Sequence, residues 1–203
     1  MKLLREILYK VEINSVVGNT SISINKIEFD SRLISDGDMY IAITGVNVDG
    51  HSFISQAIKN GANCIVCEKI PDNKTDGVVY VNVKSSRKAL AIISSNYFDN
   101  PSSKLNLIGV TGTNGKTTIA TLLFDLYTEL EIKSGLISTV KISYDNKNFQ
   151  ANQTTPDSLS INRFLSEMVN SNVRYCFMEV SSHGIDQNRT CLLYTSPSPR
   201  DSS

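Results

Sequence analysis

Apolar residues recur along this chain at two different periods, and the balance between them changes near residue 100. Before that point short alternating or continuous runs dominate. "SISINKIEF" (21–29), "DMYIAITG" (38–45), "CIVCE" (64–68) and "GVVYVNV" (77–83) each predict a strand. Helical spacing appears in "SFISQAIKN" (52–60) and again over 86–98, where Leu90, Ile93 and Tyr97 share one face. The breaker-rich "DNPSSK" (99–104) predicts a domain boundary. Beyond it the order becomes strand, glycine loop, helix, strand. "LNLIGV" is short and apolar, and "KTTIATLLFDLYTEL" places Ile119, Leu122, Leu123, Leu126, Tyr127 and Leu130 at helical spacing. "GLISTV" predicts the next strand, and "ISYDNKNFQ" a hairpin turning at Asp145–Asn146. "TTPDSLSINRFLSEMVNSN" predicts a helix capped by Thr155 with Pro156 at its first position. "VRYCFMEV" is a strand with apolar residues on both faces. Doubly buried strands alternating with helices predict an α/β fold with a parallel sheet.

Composition narrows the classes without choosing among them. The 203 residues suffice for one large or two modest domains, and 40% hydrophobic content is ordinary for a globular chain. Twenty basic residues balance twenty acidic ones, which removes any electrostatic reason to expect nucleic acid or an anionic membrane as partner. "MKLLREILYK" is broken by Arg5, Glu6 and Lys10, so a secretory segment is not expected and the cytoplasm is the default. Cys64 and Cys67 form a Cys-x-x-Cys, but a separation of three in a strand puts the thiols on opposite faces. Buried, reduced thiols are therefore expected rather than a zinc or redox pair.

The chemistry concentrates at two strand ends. Gly112 and Gly115 let backbone N–H groups surround an anion between a strand and a helix N-terminus. Lys116 adds a positive charge, and Thr117 offers a hydroxyl to Mg²⁺. Val110 stands where the common P-loop pattern has its first glycine, so the match to that pattern is incomplete. At the second strand end, in "FMEVSSHG", Glu179 closes an apolar run. A carboxylate there costs several kcal/mol unless paired, so it predicts either a Mg²⁺ ligand shared with Thr117 or a salt bridge. Ser182 and His183 follow it without the strained elbow a serine hydrolase needs.

Gly112–Thr117, together with "FDSRLISDGDMYIAITGVNVDGHSFISQAIKNGA", "QTTPDSL" and "MEVSSHGIDQNR", resembles the Mur ligases over residues 25 to 189. The loop of that family does not require the upstream glycine, which accounts for Val110. The resemblance is to the branch that adds a diamino acid to UDP-N-acetylmuramoyl-L-alanyl-D-glutamate. It implies a small N-terminal α/β domain with a mixed sheet over 1–98, which holds the UDP end of the substrate. It implies an incomplete ATP-binding domain with a parallel sheet over 99–189. ATP would be held by Gly112, Thr113, Asn114, Gly115, Lys116, Thr117 and Thr118, with Lys116 and Glu179 catalytic and Mg²⁺ on Thr117 and Glu179. Phe29, Ser31, Val46, Asn47 and Val48 would line the uridine site. Gln153, Thr154, Thr155, Ser181, Gln187 and Arg189 would contact the muramoyl-dipeptide. The activity implied is phosphoryl transfer to a carboxylate, then attack by an amine on the acyl phosphate. Cyanophycin-type and folylpolyglutamate-type amide ligases remain as alternatives, as does a chain that binds nucleotide and UDP-sugar without turnover. Small molecules are the expected partners and a monomer the default state. After Arg189 the family's pattern stops: "TCLLYTSPSPRDSS" (190–203) keeps neither period and is expected to be a foreign tail on a truncated chain.

Overall fold

The backbone of the computed structural model is described for residues 1–45, 48–151 and 155–190. It divides into two compact units, Met1–Tyr97 and the residues from Phe98 onward. Val46, Asn47, Asn152, Gln153 and Thr154, and the whole of 191–203, lie outside the described residues, so the expectation of a foreign tail does too.

The first unit contains β1 (Lys2–Leu3), α1 (Leu4–Ile7), β2 (Ile13–Val17), β3 (Ser23–Ile24), β4 (Ile27–Glu28), β5 (Met39–Ile41), α2 (Ile54–Lys59), β6 (Cys64–Cys67), β7 (Val79–Val83) and α3 (Ser86–Tyr97). Its sheet runs β2-β7-β6-β5-β4, parallel from β4 to β7 and antiparallel at β2, while β1 and β3 form a separate ladder. "SISINKIEF" is thus two short strands in two sheets, not one. The sequence reading missed β2 because all five of its residues are exposed and its register shifts between Ile13 and Ser15, which hides alternation. Ile65 and Cys67 join Tyr40, Ala57 and Tyr80 in one core cluster. Cys64 and Cys67 are buried free thiols; burial pushes the Cys64 thiol up, and that of Cys67 to about 11.

The second unit contains β8 (Asn106–Val110), α4 (Lys116–Glu129), β9 (Ser134–Ile137), β10 (Lys141–Tyr144), β11 (Lys147–Gln150), α5 (Ser158–Asn170), β12 (Tyr175–Glu179) and α6 (Ser182–Asp186). The sheet order is β11-β10-β9-β12-β8. β9, β12 and β8 are parallel, and the β10–β11 hairpin extends them antiparallel. That hairpin turns at Asp145 and Asn146, both at positive φ (47° and 60°), a geometry short polar side chains tolerate.

Period-two alternation along β12 assigns its residues to two layers. Cys176 and Met178 pack with Ile161, Leu165 and Met168 of α5. Phe177 and Tyr175 pack with Ala120, Leu123 and Tyr127 of α4. Phe177 is 2% exposed; burying such a ring is worth about 1.5–3 kcal/mol. Of the six apolar residues expected to form the α4 stripe, Leu123 and Tyr127 pack on the sheet. Ile119, Leu122, Leu126 and Leu130 are exposed instead, at 49, 61, 49 and 60%. The helix carries apolar residues over more than one face, and the sheet reaches only one of them. Among the described residues no helix is long and apolar enough to cross a membrane.

The start of α5 also departs from expectation. Asp157, not Thr155, is its N-cap, accepting from Ser160 N at 2.8 Å. Thr155 lies two residues earlier and uses its hydroxyl elsewhere.

Candidate functional site

β8 delivers the chain into a loop, 111–115, whose residues are all exposed. Gly112 and Gly115 adopt φ of 148° and 80°, and Gly115 is the residue from which α4 starts. No side chain caps that helix, and its first turn carries no acidic residue. The first hydrogen bond into the helix runs from Ile119 N to Gly115 O. The N–H groups of Lys116, Thr117 and Thr118 therefore have no intrahelical acceptor, at the positive end of a helix. The Lys116 ammonium donates to Gly112 O at 2.8 Å and Thr113 O at 3.3 Å, which holds it over the loop. Donors, a positive helix end and an ammonium together bind anions, and several phosphate oxygens suit them better than one carboxylate.

Glu179 ends β12 and pairs in register with Val110, the last residue of β8. Alternation along the strand puts it on the face of Phe177, the face α4 covers. It is 1% exposed. Among the described residues no cation lies within ion-pair distance of it. The salt bridge allowed by the sequence is therefore not formed among the described residues. Its two oxygens instead accept from Thr139, from N to Oε1 and from Oγ1 to Oε2, both at 2.9 Å. The pattern of "GLISTV" puts Thr139 inside a strand, so nothing in the sequence singles it out. β9 stops at Ile137, and Ser138 ties a tight turn onward to Lys141.

Beside this strand end lies a polar network. The Thr155 hydroxyl donates to Glu179 O (3.2 Å), accepts from Ser181 N (3.0 Å) and lies 3.1 Å from Ser181 Oγ. Ser181 Oγ caps α6 by accepting from Gly184 N at 3.0 Å. Arg189 donates to Thr155 O from Nη1, and to Gln187 Oε1 from Nε and Nη2. Thr155, Ser181, Gln187 and Arg189 are thus brought together, whereas Gln153 and Thr154 lie outside the described residues. Ser182 and His183 are exposed on α6. A cavity of about 450 Å³ opens at the other end of α4, lined by Phe124, Thr128, Lys141 and Tyr144. Neither the 111–115 loop nor Glu179 lines it.

In the first unit, Phe29 is 36% exposed and Ser31 buried. Ser31 starts a helical turn capped by Asp30, which accepts from Arg32 N. The Arg32 guanidinium beside Asp30 lowers that carboxyl's pKa. Val48 is exposed, and Val46 and Asn47 lie outside the described residues. The Asp49 carboxylate accepts from His51 N (3.0 Å) and faces His51 Nδ1 at 2.7 Å. Glu68 N donates to His51 Nε2, so Nδ1 carries the imidazole proton.

A Mg²⁺ ion fits the second unit's donor set. Among the described residues no group of three His, Cys, Asp or Glu is assembled that could hold a metal alone. One buried carboxylate on the α4 side and a hydroxyl in that helix's first turn suit a cation that takes its other ligands from phosphate and water.

Comparison with known proteins gives consistent matches. Residues 23–98 match the Mur ligase family, catalytic domain, and residues 110–197 the Mur ligase middle domain. The UDP-N-acetylmuramoyl-L-alanyl-D-glutamate–2,6-diaminopimelate ligase of Cytophaga hutchinsonii is 48% identical over 187 residues, 92% of this chain and 38% of its own length. That of Clostridium tetani is 45% identical over 188 residues, 92% of this chain and 39% of its own. The chain therefore spans well under half the length of these relatives. A solved ligase structure of the same name superposes with a TM-score of 0.74 at 23% identity, covering 94% of this chain and 38% of its own. The MurF ligase of Thermotoga maritima in complex with ADP superposes at 0.54 and 25% identity, covering 83% and 35%.

Proposed function

The chain belongs to the Mur ligase family, and from that premise we propose that it carries the UDP-substrate and ATP-binding parts of a diaminopimelate-adding ligase. The observation that carries this reading is the uncapped start of α4 at Lys116, with Glu179 buried beside Val110 on the neighbouring strand. Gly112 to Thr118 hold the ATP phosphates, and Lys116 balances charge on the transferring phosphoryl group. Mg²⁺, held by Thr117 and Glu179, would supply further charge neutralisation at the phosphates. Phe29, Ser31, Val46, Asn47 and Val48 hold the uridine. Thr155, Ser181, Gln187 and Arg189, with Gln153 and Thr154, hold the muramoyl-dipeptide.

In the proposed reaction a D-glutamate carboxylate oxygen attacks the γ-phosphorus of ATP, and the bond to ADP breaks. The diaminopimelate amine then attacks the acyl carbon, phosphate leaves, and the nitrogen loses a proton. A carboxylate oxygen is a poor leaving group until phosphorylated, which is why ATP is consumed. The choice of diaminopimelate over lysine rests on the names of the relatives.

Calorimetric titration of ATP with Mg²⁺ into this chain tests the site. Binding is expected, and Lys116→Ala should weaken it about tenfold or more, as for loss of a hydrogen bond to a charged group. Undiminished affinity in Lys116→Ala would refute the assignment. Because the chain spans 38% of the first relative's length, binding is tested separately from turnover.

A further inference from the structure

We propose that Thr139 is a positioning residue for Glu179, holding its carboxylate in the orientation that receives the divalent cation. The inference deepens the nucleotide-site reading and rests on it. Thr139 satisfies one lone pair on each carboxylate oxygen, through its N–H and its hydroxyl. A carboxylate offers about four lone-pair sites, so two remain to coordinate. Both donors are neutral: they fix the direction of the carboxylate and leave its charge uncompensated at 1% exposure. A cation completes such a site where a third neutral donor would not.

The turn that carries Thr139 is built to hold it still. Ser138 is fully buried, and its N–H and hydroxyl both donate to Lys141 O, at 3.0 and 2.9 Å. The same hydroxyl oxygen accepts from Val140 N at 3.3 Å and Lys141 N at 3.2 Å. Pairing of Met178 with Ile137 sets β9 beside β12, so the turn leaving β9 meets Glu179 as it leaves β12. Partners that orient a metal-binding carboxylate from behind control metal affinity, and their loss costs about 10–100-fold.

The test measures ATP affinity of this chain across a Mg²⁺ titration, with thermal unfolding recorded for each variant. Thr139→Val keeps the N–H and the shape but loses the hydroxyl. It should require about tenfold more Mg²⁺ for the half-maximal effect, with metal-free ATP affinity unchanged. Thr139→Ser should restore the wild-type curve. Thr139→Ala removes the same hydroxyl and replaces the valine variant if that one fails to fold. A wild-type Mg²⁺ curve in Thr139→Val or Thr139→Ala overturns the inference, as does an equal loss of metal-free affinity, which marks a structural role. Magnesium dependence that survives Glu179→Gln overturns the metal assignment itself, and the role of Thr139 falls with it.

Discussion

Thr155 shows how one side chain can serve several neighbours. Its hydroxyl links the backbone of Glu179 to Ser181, and its carbonyl receives Arg189. A Cβ added at Gly184 would lie 2.9 Å from both Thr155 Cβ and Cγ2. That contact is with a stiff β-branched side chain, so Gly184→Ala should destabilise by about 1–3 kcal/mol. Urea denaturation checks this, and a wild-type midpoint would show that the network yields freely. Cys67 makes a pH prediction. Its folded pKa is raised to about 11 from an ordinary value of 9.0. The contribution is therefore complete below the unfolded pKa and is lost as pH rises toward the folded one. Stability should fall as pH rises from about 9 to about 11, Cys67 contributing up to about 2 kcal/mol and the raised thiols of Cys64 and Cys176 adding to it. Cys67→Ala should therefore make the slope shallower without abolishing it.

At the scale of elements, α5 and α4 separate what a cap does from what a stripe does. Asp157→Ala removes a side-chain cap from α5 and should cost about 1 kcal/mol. On α4 the two apolar faces should respond differently. Leu123→Ala loses packing on the sheet and should cost about 2 kcal/mol or more. Leu122→Glu, on the exposed face, should change stability by less than about 0.5 kcal/mol. Equal losses at the two positions would mean that the outer face is buried in solution. The glycine loop at the start of α4 was legible because strand, loop and helix are consecutive in the chain. The face of α4 that packs was not, since six apolar residues at helical spacing fit more than one orientation.

For the molecule as a whole, the two units carry separate cores, and the residues of the proposed anion site, Glu179 included, all belong to the second. Nucleotide that binds only the folded state stabilises it by about 2.7 kcal/mol at a hundredfold excess over its Kd. With Mg²⁺ and ATP, hydrogen exchange should slow most in the amides of 110–119 and of Met178–Ser181. Protection elsewhere without protection there would place the nucleotide at another site.

The sequence by itself determined the α/β class, the glycine loop proposed to hold phosphate and the candidacy of Glu179, because each follows from local order: a short apolar strand, spaced glycines, a lysine, a carboxylate closing a buried run. Only the tertiary structure decided which groups meet. Thr139 and Glu179 lie 40 residues apart in the chain and touch because β9 and β12 are neighbours in the sheet. Thr155 looks like a helix cap in sequence, but in the fold it faces a strand end that offers its hydroxyl more partners than the helix does. Contacts of this kind depend on strand order, and strand order depends on which faces bury most, a comparison made over the whole core and not within any one segment.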